Sequence, residues 1–364
     1  MNLSMTTKAF AEASPSLYEA MNRYKDHCLA ERGVKGKQFS TTHSKEDMER
    51  AINKEFASEI SKRTGLTVDK FDGSVKRYAE TTSVKEMANA IRDFMIDMIL
   101  PEVLMTGTVR YIADFRFADL LDSMSYEIEN NALFTVSKAG YRKRSTNLQK
   151  LYKTTVTLTP ENHMLTVGTD LVEVLTGRAS IAKDVMKAAL SIEASILYDA
   201  YDAFTTSANA LTGNLAVANY SEESLIKLCE TVTAFNNGKK AVIFGTPVAL
   251  KKVLPSNANY RYLLSDDYVK LGALKDFNGY DVVPMSQVAD FTKNDYSLKL
   301  DDTKIYVVSP ASNKIVQVGV FGESTTHTDT IYDNANLLQL STISKAWDVQ
   351  VITNSVAGVV KALA

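Results

Sequence analysis

The first hundred residues repeat a helical pattern of apolar positions. In SKEDMERAINKEFASEISKRTG, Met48, Ile52, Phe56 and Ile60 recur every fourth residue, which lines them along one face of a helix. Ser44 stands as a cap, Glu46 and Asp47 complement the helix dipole, and Gly65 marks the end. SPSLYEAMNRYKDHCLAERG reads as an earlier helix, opened by Ser14 as cap and Pro15 at its first position and closed at Gly33. In SVKEMANAIRDFMIDMIL, Met87, Ile91, Met95 and Met98 form one stripe, and Pro101 is expected to stop the helix.

From residue 106 the period shortens to two. TVRYIADFRF and YEIENNALFTV are short, β-branched and aromatic. In KLYKTTVTLTP, Tyr152, Val156 and Leu158 fall on one side and Lys153, Thr155, Thr157 and Thr159 on the other. Pairing of residues 126–137 with 150–160 would make a long hairpin, each arm reaching ~35 Å at ~3.3 Å per residue. A ribbon of that length is marginal in water unless something packs against it. Between its arms lies SKAGYRKRSTNLQK, residues 137–150. It carries Lys138, Arg142, Lys143, Arg144 and Lys150 around Tyr141, with no acidic residue.

A helical period then returns without interruption by Gly or Pro. From Ser180 to Thr206, Ile181, Val185, Ala188, Ile192, Ile196 and Ala200 share a face, predicting a rod about 40 Å long. SEESLIKLCETVTAFNNG follows as a helix from Ser221 to Gly238. AVIFG, YDVVPM and KIYVVS read as strands, TPVALKKVL as a helix and NYRYLLSDDYVKLGALKDFNG as a surface loop. LLQLSTISKAWDVQVIT is extended and holds the single tryptophan, Trp347.

Composition narrows the function classes. The 364 residues are 45% hydrophobic and 23% charged, with 16 Gly and 7 Pro, so the chain has the balance of a folded protein with room for two or three cores. Its 41 Lys and Arg offset 43 Asp and Glu, which leaves the basic stretch at 137–150 a local feature. The whole chain lacks the field of a dedicated nucleic-acid binder. Cys28 and Cys229 are too few for a disulfide framework and are expected as reduced thiols. FMIDMILPEVLM is too short and too interrupted for a bilayer span, and MNLSMTTKAFAEASPS has no secretory apolar core, so a soluble, intracellular protein is expected.

Chemistry-bearing motifs are lacking. No CxxC, HExxH, EF-hand, GxSxG, GxxxxGK[ST] or GxGxxG pattern occurs, and GVFGES fails the spacing. His163 and His327 are expected as exposed loop residues. Asp199 with Asp202, three apart on the long helix, reads as a solvated face. No catalytic, cofactor or metal site is assigned.

The order of SYEIENN through VTLTP, the helix ASIAKDVMKAALSIEASILYDAYDAF, and then KAVIFGTPVAL, FNGYDVVPM and KIYVVSPASNKIVQVG resembles the tailed-bacteriophage major capsid protein family, with the Hong Kong ninety-seven type fold, over residues 106–364. The resemblance implies an α+β protein. Residues 1–105, ahead of the resemblance and longer than a simple arm, would be a helical N-terminal region or arm whose role is open, with packing on neighbouring subunits as the leading hypothesis, and 106–238 would be a peripheral domain. That domain would contain an extended hairpin (126–160) and a spine helix (180–206) whose core face is Ile181, Val185, Ala188, Ile192 and Ile196. Residues 239–330 would be an axial domain and 331–364 a return to the peripheral one. Implied too is a non-enzymatic, cofactor-free structural subunit, self-assembling into hexamers and pentamers of an icosahedral shell in the virion after synthesis in the host cytoplasm. Its partners would be copies of itself, double-stranded DNA held without sequence specificity, and scaffold, portal and decoration proteins as candidates, with no membrane partner. On this reading Lys138, Tyr141, Arg142, Lys143, Arg144 and Lys150 make the inter-subunit contact at the hairpin tip. Weighed beside it are a nanocompartment shell of the same fold, an α/β enzyme, and a nucleic-acid-binding module using 138–150. The near-neutral charge and missing phosphate loop disfavour the last two.

Overall fold

The computed structural model describes residues 12–33, 37, 43–66, 74–105, 108–120, 122–129, 153–168, 171–254, 273–290, 297–309, 314–330, 339–352 and 356–363. The basic stretch 137–150, with Lys138, Tyr141, Arg142, Lys143, Arg144 and Lys150, lies outside the described residues.

The N-terminal region forms α1 (Pro15–Glu31), α2 (Lys45–Thr64), α3 (Ser74–Glu80) and α4 (Thr82–Leu104). Helix α2 begins and ends as its sequence dictates: the Ser44 side chain accepts from the Asp47 N–H at 3.2 Å, and Gly65 takes the left-handed conformation at φ 67°. Ser14 does not cap α1 with its side chain. Its hydroxyl instead donates to Glu59 of α2 at 2.6 Å and accepts from Arg63 at 2.8 Å, so a tertiary contact takes the group that a local cap would have used. Burial pushes the Glu59 carboxyl up, and these bonds outweigh it and hold it below its ordinary range.

Helix α4 runs through Pro101 to Leu104. Proline removes one intrahelical hydrogen bond, and here only three residues follow it, so the loss falls in the last turn. The helix is also buried more widely than one stripe: Ile91, Phe94, Met95, Ile96, Met98, Ile99 and Leu100 are all enclosed. It packs between the other N-terminal helices, a sheet and the long helix.

That sheet has four strands in the order β1, β10, β11, β4. They are β1 (Ala113–Ala118), β4 (Glu161–Gly168), β10 (Val316–Thr330) and β11 (Gln339–Val351). β1 runs parallel to β10, and the rest pair antiparallel. Between β1 and β4 the chain makes a separate two-stranded arm, β2 (Met124–Glu129) with β3 (Lys153–Leu158). A short helix α5 (Leu171–Thr176) then leads to α6 (Ile181–Asn209), 29 residues and about 43 Å long. Ile181, Val185, Ala188, Ile192 and Ile196 are all buried.

The second sheet orders six strands as β5 (Ala216–Val217), β12 (Ala357–Val360), β9 (Ile305–Val308), β6 (Val242–Gly245), β8 (Tyr280–Pro284) and β7 (Asp276–Phe277). Helices α7 (Glu222–Phe235) and α8 (Pro247–Leu250) cover one face. The C-terminal end of α6 meets the other, where Phe204 lies 5.0 Å from Tyr306, centroid to centroid. The long helix therefore bridges both sheets, and one apolar cluster runs from Leu17 through Ile192 and Val316 to Val359.

The described N-terminal helices bury apolar faces against α6 and the four-stranded sheet of this chain. By sheet membership, β5 and α7 belong to the six-stranded layer, β10 pairs with β1, and β12 returns to the six-stranded sheet. One expectation changes. Within the expected surface loop, Ala273, Leu274 and Phe277 are buried. There Asn278 (φ 48°) and Gly279 (φ 82°) close the β7–β8 hairpin, both in the left-handed region that a two-residue Asn-Gly turn requires.

Candidate assembly surfaces

The base of the arm is fastened to its own subunit. Register runs from Met124 opposite Leu158 to Glu129 opposite Lys153. The alternation of β3 sends Leu158 inward, where it joins Met124 and Tyr126 against Phe321, Ala346 and Ile352. Gly319 permits this approach, since a Cβ there would stand 2.7 Å from Leu158 Cδ1 and 3.1 Å from Met124 Sδ. Arg116 of β1 sits 4.2 Å above the Tyr126 ring. Burial pushes the Tyr126 hydroxyl up to about 12, against the opposing charge of Arg116. On the outer side Glu127 and Lys153 are exposed and paired at 3.2 Å. The support expected from another molecule is thus supplied, for these strands, by this chain's own sheet.

A second surface opens between β4, β11 and α6. Glu161, His163, Asp199, Asp202, Trp347 and Asp348 line a shallow cleft of about 290 Å³. His163 lies on strand β4, not on a loop, and its ring stacks on Trp347 at 3.6 Å with planes 5° apart. His327 is likewise on a strand, opposite Thr342. Asp199 accepts from Trp347 Nε1 at 2.8 Å, Asp202 pairs with Lys299, and Asp348 accepts from the Thr159 N–H at 2.9 Å. The two aspartates read as a solvated helix face are therefore working anchors: one orients the indole, the other ties α6 to the segment before β9. Four carboxylates give the cleft a negative lining.

Sequence reasoning missed the polar joint between α4 and β10. β1 ends opposite Phe321, and beyond it the free edge of β10 meets side chains of α4. Asp97 accepts from Ser324 N–H (2.9 Å) and Oγ (2.7 Å), and Asp93 accepts from Thr326 N–H (3.0 Å) and its hydroxyl. The Thr328 hydroxyl donates to Asn89 Oδ1 at 2.7 Å. Four residues along a helix advance about 6 Å, and two along a strand about 6.6 Å. Helix side chains at i, i+4 and i+8 can therefore serve alternate strand residues. Lys345 of β11, 6% exposed, joins Asp97 at 2.8 Å and the Gly322 carbonyl at 2.7 Å. The signal was present as Asn89, Asp93 and Asp97 at helical period beside Ser324, Thr326 and Thr328 at strand period.

Two further side chains tie the N-terminal region to α6 and its start. Asn53 of α2 donates to the Ala179 carbonyl (2.7 Å) and accepts from the Ile181 N–H (3.1 Å), adding a cap to the one Ser180 supplies. Arg32 pairs with the buried Glu193 at 2.9 Å. Among the described residues no helix is long and apolar enough to cross a membrane, and no three His, Cys, Asp or Glu gather as a metal site. Cys28 and Cys229 are buried and free.

The architecture is α+β, the class expected from the sequence. No family model and no curated protein matches the chain. Among solved structures it is similar to the capsid of a native GTA particle, at 12% identity over 71% of this chain and 90% of that one, with a TM-score of 0.48. It is similar also to the capsid of the cyanophage P-SCSP1u (11%, 71% and 88%, TM-score 0.46). A third is the head of Helicobacter pylori bacteriophage KHP40 (10%, 70% and 92%, TM-score 0.43).

Proposed function

We propose that the chain is a major capsid protein: a structural, non-catalytic subunit that assembles with copies of itself into hexamers and pentamers of an icosahedral shell around double-stranded DNA. The observation that carries this reading is a docked two-stranded arm followed, after one strand and a short helix, by a rigid helix bridging two sheets. In the sequence, residues 130–152 join β2 to β3, and they include Lys138, Tyr141, Arg142, Lys143, Arg144 and Lys150. The counterpart on a neighbouring copy is the carboxylate-lined cleft of Glu161, Asp199, Asp202 and Asp348. Each exposed ion pair contributes only ~0.2–1 kcal/mol. Repetition around a closed symmetric assembly multiplies it and fixes register, and salt weakens it over a screening length of ~8 Å. Residues 12–105 act in this reading as an internal brace for α6 rather than as an arm reaching between subunits.

The test is the triple variant Arg142→Glu, Lys143→Glu, Arg144→Glu. The expected outcome is a folded subunit, with unchanged circular dichroism and melting, that fails to form particles. A normal particle yield would overturn the inter-subunit role of this stretch.

A further inference from the structure

The joint between α4 and β10 holds more negative than positive charge. Asp93 and Asp97 stand one turn apart on the same helix face, and both are directed at the free edge of β10. The ammonium that reaches them, Lys345, bonds directly to Asp97. Arg92, on the same helix and 6% exposed, donates to Ser341 Oγ at 2.8 Å, and its charge acts on both Asp184 of α6 and Asp93. From β10, Asp93 meets the neutral Thr326. Two carboxylates with one directly bonded ammonium, enclosed between a helix and a sheet, favour uptake of a proton as the solution is acidified.

We propose that Asn89, Asp93 and Asp97 form a pH-sensitive latch that fastens the N-terminal helical region to the free edge of β10, tight in mildly acidic solution and looser at neutral pH and above. Burial pushes the Asp93 carboxyl up to about 6, and the charge of Asp97 adds to this while the Thr326 bonds and Lys345 oppose it. With its folded value above the ordinary 3.8, docking binds a proton. The stabilisation is therefore fully present below about pH 4 and lost as pH rises through about 6. The gap between 3.8 and about 6 amounts to roughly a hundredfold in the docking equilibrium. Opening would free the edge groups of residues 322–328, which in an unsealed strand offer a template for pairing with another strand.

Amide hydrogen exchange of the full chain tests the latch, with each rate divided by its intrinsic rate at the same pH. Protection across 322–328 is expected to be about tenfold greater at pH 5 than at pH 8, while peptides of α6 keep constant protection. Asp93→Asn should abolish the difference. A pH-independent protection in the unaltered protein would overturn the latch. So would an equal change in α6, which means global unfolding, or a dependence that persists in the Asn variant. The unaltered profile decides even where that variant folds poorly, and the readout is independent of whether subunits form shells.

Discussion

The two sheets are joined by one helix but held by different means. In the six-stranded sheet, Ala241, Ile243, Ile305, Val307, Val360 and Leu228 make a core on one face by apolar packing. Its strands β6 and β9 are short and buried at every position. The four-stranded sheet has longer strands and a mixed interior: Arg92, Lys345, Ser324, Thr326 and Ser341 are enclosed beside Val316, Val318 and Trp347. A wholly apolar layer gains from area removed from water and tolerates changes of register poorly. A layer with buried polar partners fixes where each neighbour sits, because an unpaired group there is costly. The second kind of layer suits a surface whose helix, arm and N-terminal brace must hold fixed relative positions.

The contrast is broken most directly by removing one buried charge. Asp97→Ala leaves Lys345 enclosed without its carboxylate and should cost about 3–5 kcal/mol by denaturant unfolding. Adding Lys345→Met should recover part of that loss, because it removes the uncompensated ammonium. A double variant no more stable than Asp97→Ala would contradict the polar account of this layer. In the apolar sheet, Ile243→Ala should cost about 2–5 kcal/mol through the cavity it leaves. No second substitution of a charged neighbour should restore it. Smaller is the effect expected at the arm: Gly319→Ala forces Leu158 and Met124 aside and should cost about 1–3 kcal/mol. The change in protection should concentrate in β2 and β3, and equal loosening of all strands would argue against a docked arm.

The same contrast governs what could be read from the sequence. AVIFG and KIYVVS are continuous apolar runs, and they emerged as strands because burial on both faces writes itself into composition. The periodic stripe from Ile181 to Ala200 located α6 within a few residues at each end. ESTTHTDT and ENHMLTVG did not look like strands, since one side of each is polar and exposed and the inward side includes Ser324, Thr326 and His163. The partner of ESTTHTDT is α4, more than two hundred residues away in sequence, and that of ENHMLTVG is β11, about 180 residues away, and no local pattern encodes either pairing. Asp199 was misread for the same reason, its partner Trp347 being 148 residues distant. Pro101 misled because its rule concerns helix interiors, and it falls in the last turn. The basic stretch was visible as charge, while the carboxylates proposed to meet it converge only in three dimensions.

Electron microscopy of the purified, unaltered chain tests the central claim most directly. Closed shells, or hexameric and pentameric rings of 40.2 kDa subunits, are the predicted result. Dispersed monomers that fail to assemble across a range of salt and protein concentrations would contradict it.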